Sequence, residues 1–332
     1  MTQKRVFMTG LRRLAVIVAL PIATWAADPA LLRLVMPDAK VIAGIQVDQT
    51  RNSLFGQYIL SHMQVDDAGF KSFITQTGFD PRRDVSEILI ASNWESNSPA
   101  SRWLVIARGS FDLGKIAHAA QGTGVRTSNF QGVDILIHSS TDKPEVENAI
   151  AFFDGTSAVM GDLASVKGAV ERQKSAAAPS NQLMAKVRDL SSKNDFWFVT
   201  LVPVSEFSGV MPDPNLSGAM KGNLLAAINE ASGGIRFGNI VSISAEAVTR
   251  SEKDAQALVD VVKFVAGMVQ LNRQNNAAAG QVATLLDTLD CKTAGNVTTV
   301  SLAIPEQQLE QMLEMMRQQS HERKLPAPPQ GN

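Results

Sequence analysis

The four histidines are the side chains best suited to move a proton near neutral pH, but their spacing predicts no metal site. His62 and Asp66 stand four residues apart and could share one helix face, where they would hold a metal or orient an imidazole. We expect Asp66 to begin the next helix instead, which leaves this pair in solvent. His118, His138 and His321 have no ligand at a suitable spacing, so we expect them at the surface.

Other signatures of chemistry are also missing from the sequence. It contains no phosphate-binding loop that ends in Lys-Ser/Thr, no Gly-x-Ser-x-Gly elbow and no His-Glu-x-x-His. The single cysteine, Cys291, excludes a thiolate zinc cluster and an internal disulfide, and we expect it to be a buried small apolar residue. The pattern favours a non-enzymatic protein without cofactor or metal. A hydrolase whose Ser, His and Asp come from distant positions remains the alternative.

One loop is a candidate binding surface. The stretch from residue 203 to residue 215 contains three prolines, which disfavour a helix or a central strand. It carries the apolar residues Phe207, Val210 and Met211, and exposed apolar groups on a loop can mark a docking site. The competing interpretation is that these three side chains fold back onto the core as a lid.

The N-terminus has the layout of a secretory signal peptide, which we assign to residues 1–27. An apolar run covers residues 14–22, small residues follow, and cleavage after Ala26 or Ala27 fits the pattern. We therefore predict export to the periplasm or the medium of a bacterium. The alternative is a retained membrane anchor through residues 14–26, although a spanning helix needs about 20 apolar residues. Four basic residues precede the first acid: Lys4, Arg5, Arg12 and Arg13.

Composition is typical of a globular protein with a substantial core. The 332 residues are 45% hydrophobic and 19% charged. Removal of four basic residues with the signal peptide changes the formal net charge from −1 to −5. This charge argues against nucleic acid as a partner. An envelope protein or a small-molecule ligand fits better, and contact with a membrane is expected only if the N-terminal segment is retained.

The predicted elements indicate an α+β fold with mostly antiparallel sheets and packed helices. A β-branched run at 41–47 predicts a central strand, and strand pairs joined by Gln131-Gly132 and Asp154-Gly155 predict hairpins. A helix is predicted around Leu224, Leu225 and Ile228, followed by a hairpin that begins at Gly233-Gly234. Helix N-caps are predicted at Ser53, Asp80, Asp162 and Ser251.

The order of these elements suggests two similar modules. We place the first at 28–173, a small polar linker at 174–181, and the second at 182–320. Both contain a strand, helices, a hairpin and a closing helix. The tail at 321–332 is polar and rich in proline, so we predict disorder there.

The opening of the mature chain resembles a family of uncharacterised exported bacterial proteins. This resemblance covers about the first 90 residues and implies export and tandem α+β modules. It implies no activity and no site residues. The segments that carry it are Met36-Pro37-Asp38-Ala39, Val41-Ile42-Ala43-Gly44-Ile45, Ser53-Leu54-Phe55-Gly56 and Gly78-Phe79-Asp80-Pro81.

These observations together predict an exported protein that acts by binding a protein or a ligand in the cell envelope. A secreted hydrolase with a dispersed site is one alternative. A solute-binding module with a cleft between its halves, near 174–181, is another.

Overall fold

The computed structural model describes most of the chain from residue 26 onward. The candidate loop residues Phe207, Val210 and Met211, together with His62, lie outside the described residues, so the predictions made for them stay predictions. The predicted disordered tail also lies almost entirely outside. The described ranges are 26–54, 56–58, 74–95, 98, 101–121, 124–139, 147–175, 181–206, 224–274 and 277–322.

Twelve strands of the described residues form one antiparallel sheet. Its order is β11-β12-β10-β9-β8-β1-β2-β3-β7-β6-β5-β4, so β1 is central, as its sequence predicts. The α+β class is confirmed. The strands are β1 (Val41–Gln46), β2 (Val85–Ser92), β3 (Trp103–Gly109), β4 (Arg126–Phe130), β5 (Val133–Ser139), β6 (Glu147–Asp154), β7 (Ser157–Asp162), β8 (Phe196–Thr200), β9 (Ile228–Arg236), β10 (Ile240–Thr249), β11 (Asp290–Ala294) and β12 (Val297–Pro305).

Helices cover both faces of this sheet. They are α1 (Pro29–Leu32), α2 (Val47–Asn52), α3 (Pro81–Asp84), α4 (Leu113–Ala120), α5 (Leu163–Lys174), α6 (Met184–Lys193), α7 (Glu252–Leu271), α8 (Ala277–Leu286) and α9 (Glu306–Glu322). We call the side that α1, α5 and α6 cover the first face. The side that α4, α7, α8 and α9 cover is the second face.

The two halves of the chain have matching strand orders and meet at the pair β1–β8. Outward from that pair run β1-β2-β3-β7-β6 in one direction and β8-β9-β10-β12-β11 in the other. Two equivalent hydrogen bonds flank the central pair: the nitrogen of Gln46 donates to the oxygen of Asp195 at 2.7 Å, and the nitrogen of Leu201 donates to the oxygen of Lys40 at 2.8 Å. The described strands are thus related by an approximate twofold axis normal to the sheet, with the β4–β5 hairpin added to the first half.

The main core lies on the first face. Strand residues such as Leu89 and Trp197 point into it, and helix residues such as Val166 and Val187 pack against them. The lead-in segment after α1 contributes Met36 to the same cluster. Burial of these large side chains is the dominant stabilising term for the fold.

The second face carries smaller clusters under its own helices. Val241 and Ile304 pack against Leu309 of α9, and Leu258 of α7 packs over Leu225 and Ile228. In β10 the buried Val241 is followed by the exposed Ser242, as the alternation of its sequence predicts.

Two predictions around β9 are wrong. Residues 225–227 form only a short 3-10 turn, and Ile228 begins β9 rather than lying in a helix. Gly233 and Gly234 sit inside that strand instead of opening the hairpin. A Cβ at Gly233 would lie 2.6 Å from the oxygen of Ser244, so close strand packing, not a turn, requires this glycine. Strand β11, which contains Cys291, was not predicted, because its polar sequence lacks an apolar pattern.

The N-caps predicted at Asp80, Asp162 and Ser251 are confirmed. Asp80 accepts a hydrogen bond from the nitrogen of Arg82, Asp162 from that of Ser165, and Ser251 from that of Asp254. The local cap chemistry therefore fixes where these helices begin.

Candidate ligand-binding site

A cavity lined by described residues lies on the second face, between α4 and the strands of the first half. Its volume is about 630 Å³. Most of its lining is apolar, which is the usual character of sites for small organic ligands. The lining residues are Gln76, Trp103, Ile116, Ala119, Ala120, Val125, Leu136, His138, Asn148, Ala149, Ile150, Phe152 and Met160.

A row of apolar residues from successive strands forms an apolar floor: Met160, Ile150 and Leu136 line the cavity, and Val105 and Ile90 continue the floor beyond it. Register partners lie side by side on one face of an antiparallel sheet, so paired residues continue each other from strand to strand. The row is Ile90, Val105, Met160, Ile150 and Leu136. With strands about 4.8 Å apart, it spans roughly 19 Å.

Part of this row reaches solvent. Ile90 is 47% exposed and Met160 is 41% exposed, although both lie on strands well inside the sheet. Large apolar side chains in such positions are normally covered by packing. We call the row and the cavity above it the apolar channel.

Along the strand direction, one side of the apolar channel is closed by aromatic rings. Phe111 lies between Phe79 and Phe152, with ring centroids 5.3 Å away in each case. Ile116 of α4 joins this cluster, and the helix begins where Asp112 caps the nitrogen of Lys115. Aromatic pairs at this spacing are favourable, so the cluster fixes α4 over the strands.

The opposite side of the apolar channel is polar. His138 of β5 and Asn148 of β6 are register partners, and Gln76 and the indole of Trp103 line the same cavity. His138 is exposed, so this side opens to water. The site thus combines a long apolar floor with a small polar edge.

The two histidines whose side chains the structure describes, His118 and His138, do not assemble catalytic groups. His118 projects from α4 to solvent, and His138 lies at the polar edge, as expected for a strand end. Neither makes a hydrogen bond to a described acid or serine. Among the described residues, no group of three or more metal-ligating side chains lies close enough to hold an ion. The sequence did not reveal His138 as a cavity residue, because its neighbours Asn148 and Trp103 come from other strands.

A buried carboxylate lies away from the apolar channel, on the first face. Glu87 is 6% exposed, and both of its carboxylate oxygens accept from the backbone nitrogen of Asp28, at 3.2 and 3.3 Å. Burial raises the pKa of Glu87 to about 7, and the nearby Asp28 carboxylate adds to this rise. The ion pair between Asp28 and Arg108 lies beside it.

A second cavity, of about 280 Å³, is polar and lies at the C-terminal end of α6. Asp195 and Arg236 line it, with Lys193 and Glu306. The Asp195 carboxylate accepts a hydrogen bond from the nitrogen of Phe237 at 2.7 Å, and burial raises its pKa. Since this carboxylate already serves the β9–β10 turn, the apolar channel is the stronger candidate site.

Comparison with known proteins gives no family for this chain. No family model and no curated protein match it. A solved structure, crystal form I of TP0453, is similar with a TM-score of 0.46 and 10% sequence identity. That similarity covers 87% of this chain and 98% of TP0453.

In the part of the chain that the structure describes, no helix is both long enough and apolar enough to cross a bilayer.

Proposed function

We propose that this protein binds an amphiphile with a single extended apolar chain. The apolar part lies along the floor of the apolar channel, and the polar end lies at the edge formed by His138 and Asn148. The main support for this proposal is the cavity of about 630 Å³, whose lining is mostly apolar. This volume falls in the range of roughly 300–1,000 Å³ that is usual for ligand sites.

The shape of the site favours an elongated ligand. The strand residues that line the cavity come from β3, β5, β6 and β7, and the apolar row continues past them to the exposed Ile90 of β2, so a compact ring system would leave part of this apolar surface exposed. An extended chain would cover Ile90 and Met160 together, which removes their apolar surface from water. The neutral side chains Asn148 and Gln76 can hydrogen-bond a hydroxyl, a carbonyl or a carboxylate of the ligand at the polar edge.

The same proposal places the activity in binding and not in catalysis. His138 stands at the polar edge without a described acid or serine as partner, so the described residues of the site supply no activated nucleophile. We further propose that binding takes place in the cell envelope, on the strength of the signal-peptide pattern in residues 1–27.

A fluorescent fatty acid titrated into the protein tests this proposal. Ala120→Trp places an indole in the cavity and should weaken binding at least tenfold. Ala117→Trp makes the same change on the exposed side of α4 and should leave the affinity unchanged. Absence of saturable binding, or equal affinities of the two variants, would contradict the proposal.

A further inference from the structure

We propose that the exported precursor is cut between Ala26 and Ala27, and that the new α-ammonium of Ala27 becomes the counter-ion of the buried Glu87. This inference concerns the first residues of the fold and is independent of the apolar channel.

The two residues joined by this peptide bond differ sharply in exposure. Ala26 is exposed, whereas Ala27 is 2% exposed and belongs to the main core. Asp28 then caps α1 by accepting from the nitrogen of Ala30 at 2.7 Å, and it pairs with Arg108. Ala27 thus contributes to packing and Asp28 to capping. A cut one bond later would remove a buried methyl group from the core.

The sequence before the bond also favours this cut. Signal peptidases read small side chains at the first and third positions before the cleaved bond. A cut after Ala26 places Ala26 and Thr24 there. A cut after Ala27 would place the large Trp25 at the third position. Fold and sequence pattern therefore select the same bond out of the two that the sequence alone leaves open.

Glu87 lies within reach of the charge that this cut creates. Its carboxylate oxygens are 3.2 and 3.3 Å from the nitrogen of Asp28. One residue spans at most about 3.6 Å, so the nitrogen of Ala27 lies within about 7 Å of the carboxylate. In the uncut chain that nitrogen is a neutral amide.

The charged groups near Glu87 do not supply it with a full counter-charge. Arg108 is shared with Asp28, whose own carboxylate opposes ionisation of Glu87. Arg51 of α2 bonds to backbone oxygens of Arg83 and Val85. The raised pKa of Glu87 is the expected result for a buried carboxylate that lacks a full counter-charge.

The chemistry of the cut is hydrolysis by an endopeptidase of the export machinery. Water adds to the carbonyl carbon of Ala26, the C–N bond to Ala27 breaks, and Ala26 leaves as a carboxylate. The released amine takes up a proton and is mostly an ammonium at pH 7, since its ordinary pKa is about 8. The fold therefore gains an attractive interaction with Glu87 only after the leader is removed.

The test begins with the full precursor, expressed in an exporting bacterium, and mass spectrometry of the N-terminus of the soluble envelope product. The proposal predicts a start at Ala27. Half of the purified product is then unfolded in urea, acetylated at its α-amine near pH 6.5, where lysine side chains are protected by protonation, and refolded. Acetylation should lower the thermal unfolding midpoint by about 2–4 °C. In Glu87→Gln the same acetylation should change the midpoint by less than about 1 °C.

Glu147→Gln is the matched control, because Glu147 begins β6, is partly exposed and pairs with Arg126. This variant should keep the full effect of acetylation. A start at any other residue would overturn the assignment of the cut. An acetylation effect that is absent in the unmodified sequence, or that persists in Glu87→Gln, would overturn the pairing.

Discussion

The indole of Trp197 occupies the space that a side chain at position 44 would need. Gly44 in β1 and Trp197 in β8 are register partners in the central strand pair, where the two halves of the chain meet. A Cβ added to Gly44 would lie 2.4 Å from Cζ2 of Trp197 and 2.9 Å from Cδ2 of Leu89. Trp197 is fully buried, so the ring cannot move aside without disturbing the main core.

This contact predicts that Gly44→Ala lowers the free energy of unfolding by about 1–3 kcal/mol, the usual cost of overpacking a core. Gly267→Ala is the control, because a Cβ there meets no atom within 4 Å in the interior of α7. That variant should raise stability by about 1 kcal/mol through helix propensity. Urea unfolding measures both changes, and a neutral Gly44→Ala would refute this account of the strand pair.

Glu87 predicts a pH dependence of stability. Its folded pKa of about 7 lies above its ordinary value of 4.5, so the folded state binds the proton more tightly than the unfolded state does. The stabilisation that the raised pKa of Glu87 contributes is therefore fully present below pH 4.5, and it is lost as the pH rises through 7. In a chain with its N-terminal amine blocked, the contribution of Glu87 to the free energy of unfolding, measured in urea, should be about 3 kcal/mol smaller at pH 8 than at pH 4.5.

Glu87→Gln should remove that part of the pH slope, because the amide does not titrate. Glu147→Gln provides the comparison for a carboxylate at the surface. An unchanged slope in Glu87→Gln would show that another group carries the pH dependence.

At the N-terminus of α3, two variants of Asp80 can separate the effect of the cap hydrogen bond on stability from the effect of the charge. Asp80 accepts from the nitrogen of Arg82 at 3.0 Å, and Asp84 accepts in return from the nitrogen of Asp80 at 2.8 Å. The hydrogen bonds from the Arg82 side chain lower the pKa of Asp80. Asp80→Ala should cost about 1 kcal/mol of stability at pH 7, as loss of a cap usually does.

Asp80→Asn keeps an oxygen for the cap but loses the ion pair with Arg82, which is partly exposed. It should therefore cost less than Asp80→Ala, because such exposed pairs contribute little. Thermal unfolding of the two variants makes the comparison. Equal losses would show that the charge, and not the cap, stabilises this turn.

Local chemistry made much of the fold predictable. The Gln131-Gly132 turn places both residues at positive φ, a geometry that glycine favours at the second position and that fixes the β4–β5 register. The caps at Asp80, Asp162 and Ser251 likewise depend only on neighbours in sequence.

The features that were predicted wrongly or missed depend on residues that are far apart in the sequence. Ile228 lies in a strand because β9 pairs with β8 and β10, which overrides the apolar pattern around Leu224. The apolar channel could not be predicted for the same reason, since its floor exists only through the register of four strand pairs. Alternation of Leu136 with Ile137, and of Ile150 with Ala151, shows two apolar faces but does not say which residues of other strands complete them. The loop of Phe207, Val210 and Met211 stays a prediction.

The most direct measurement of the proposed function is quenching of tryptophan emission by a fatty acid brominated in its chain. Trp103 lines the apolar channel, whereas Trp197 is buried on the opposite face and Trp94 does not line the cavity. We predict saturable quenching in the unmodified protein and in Trp94→Phe. Quenching should be lost in Trp103→Phe, although this variant should still bind the fluorescent fatty acid. Quenching that persists in Trp103→Phe, or no quenching at all, would contradict ligand binding in the apolar channel.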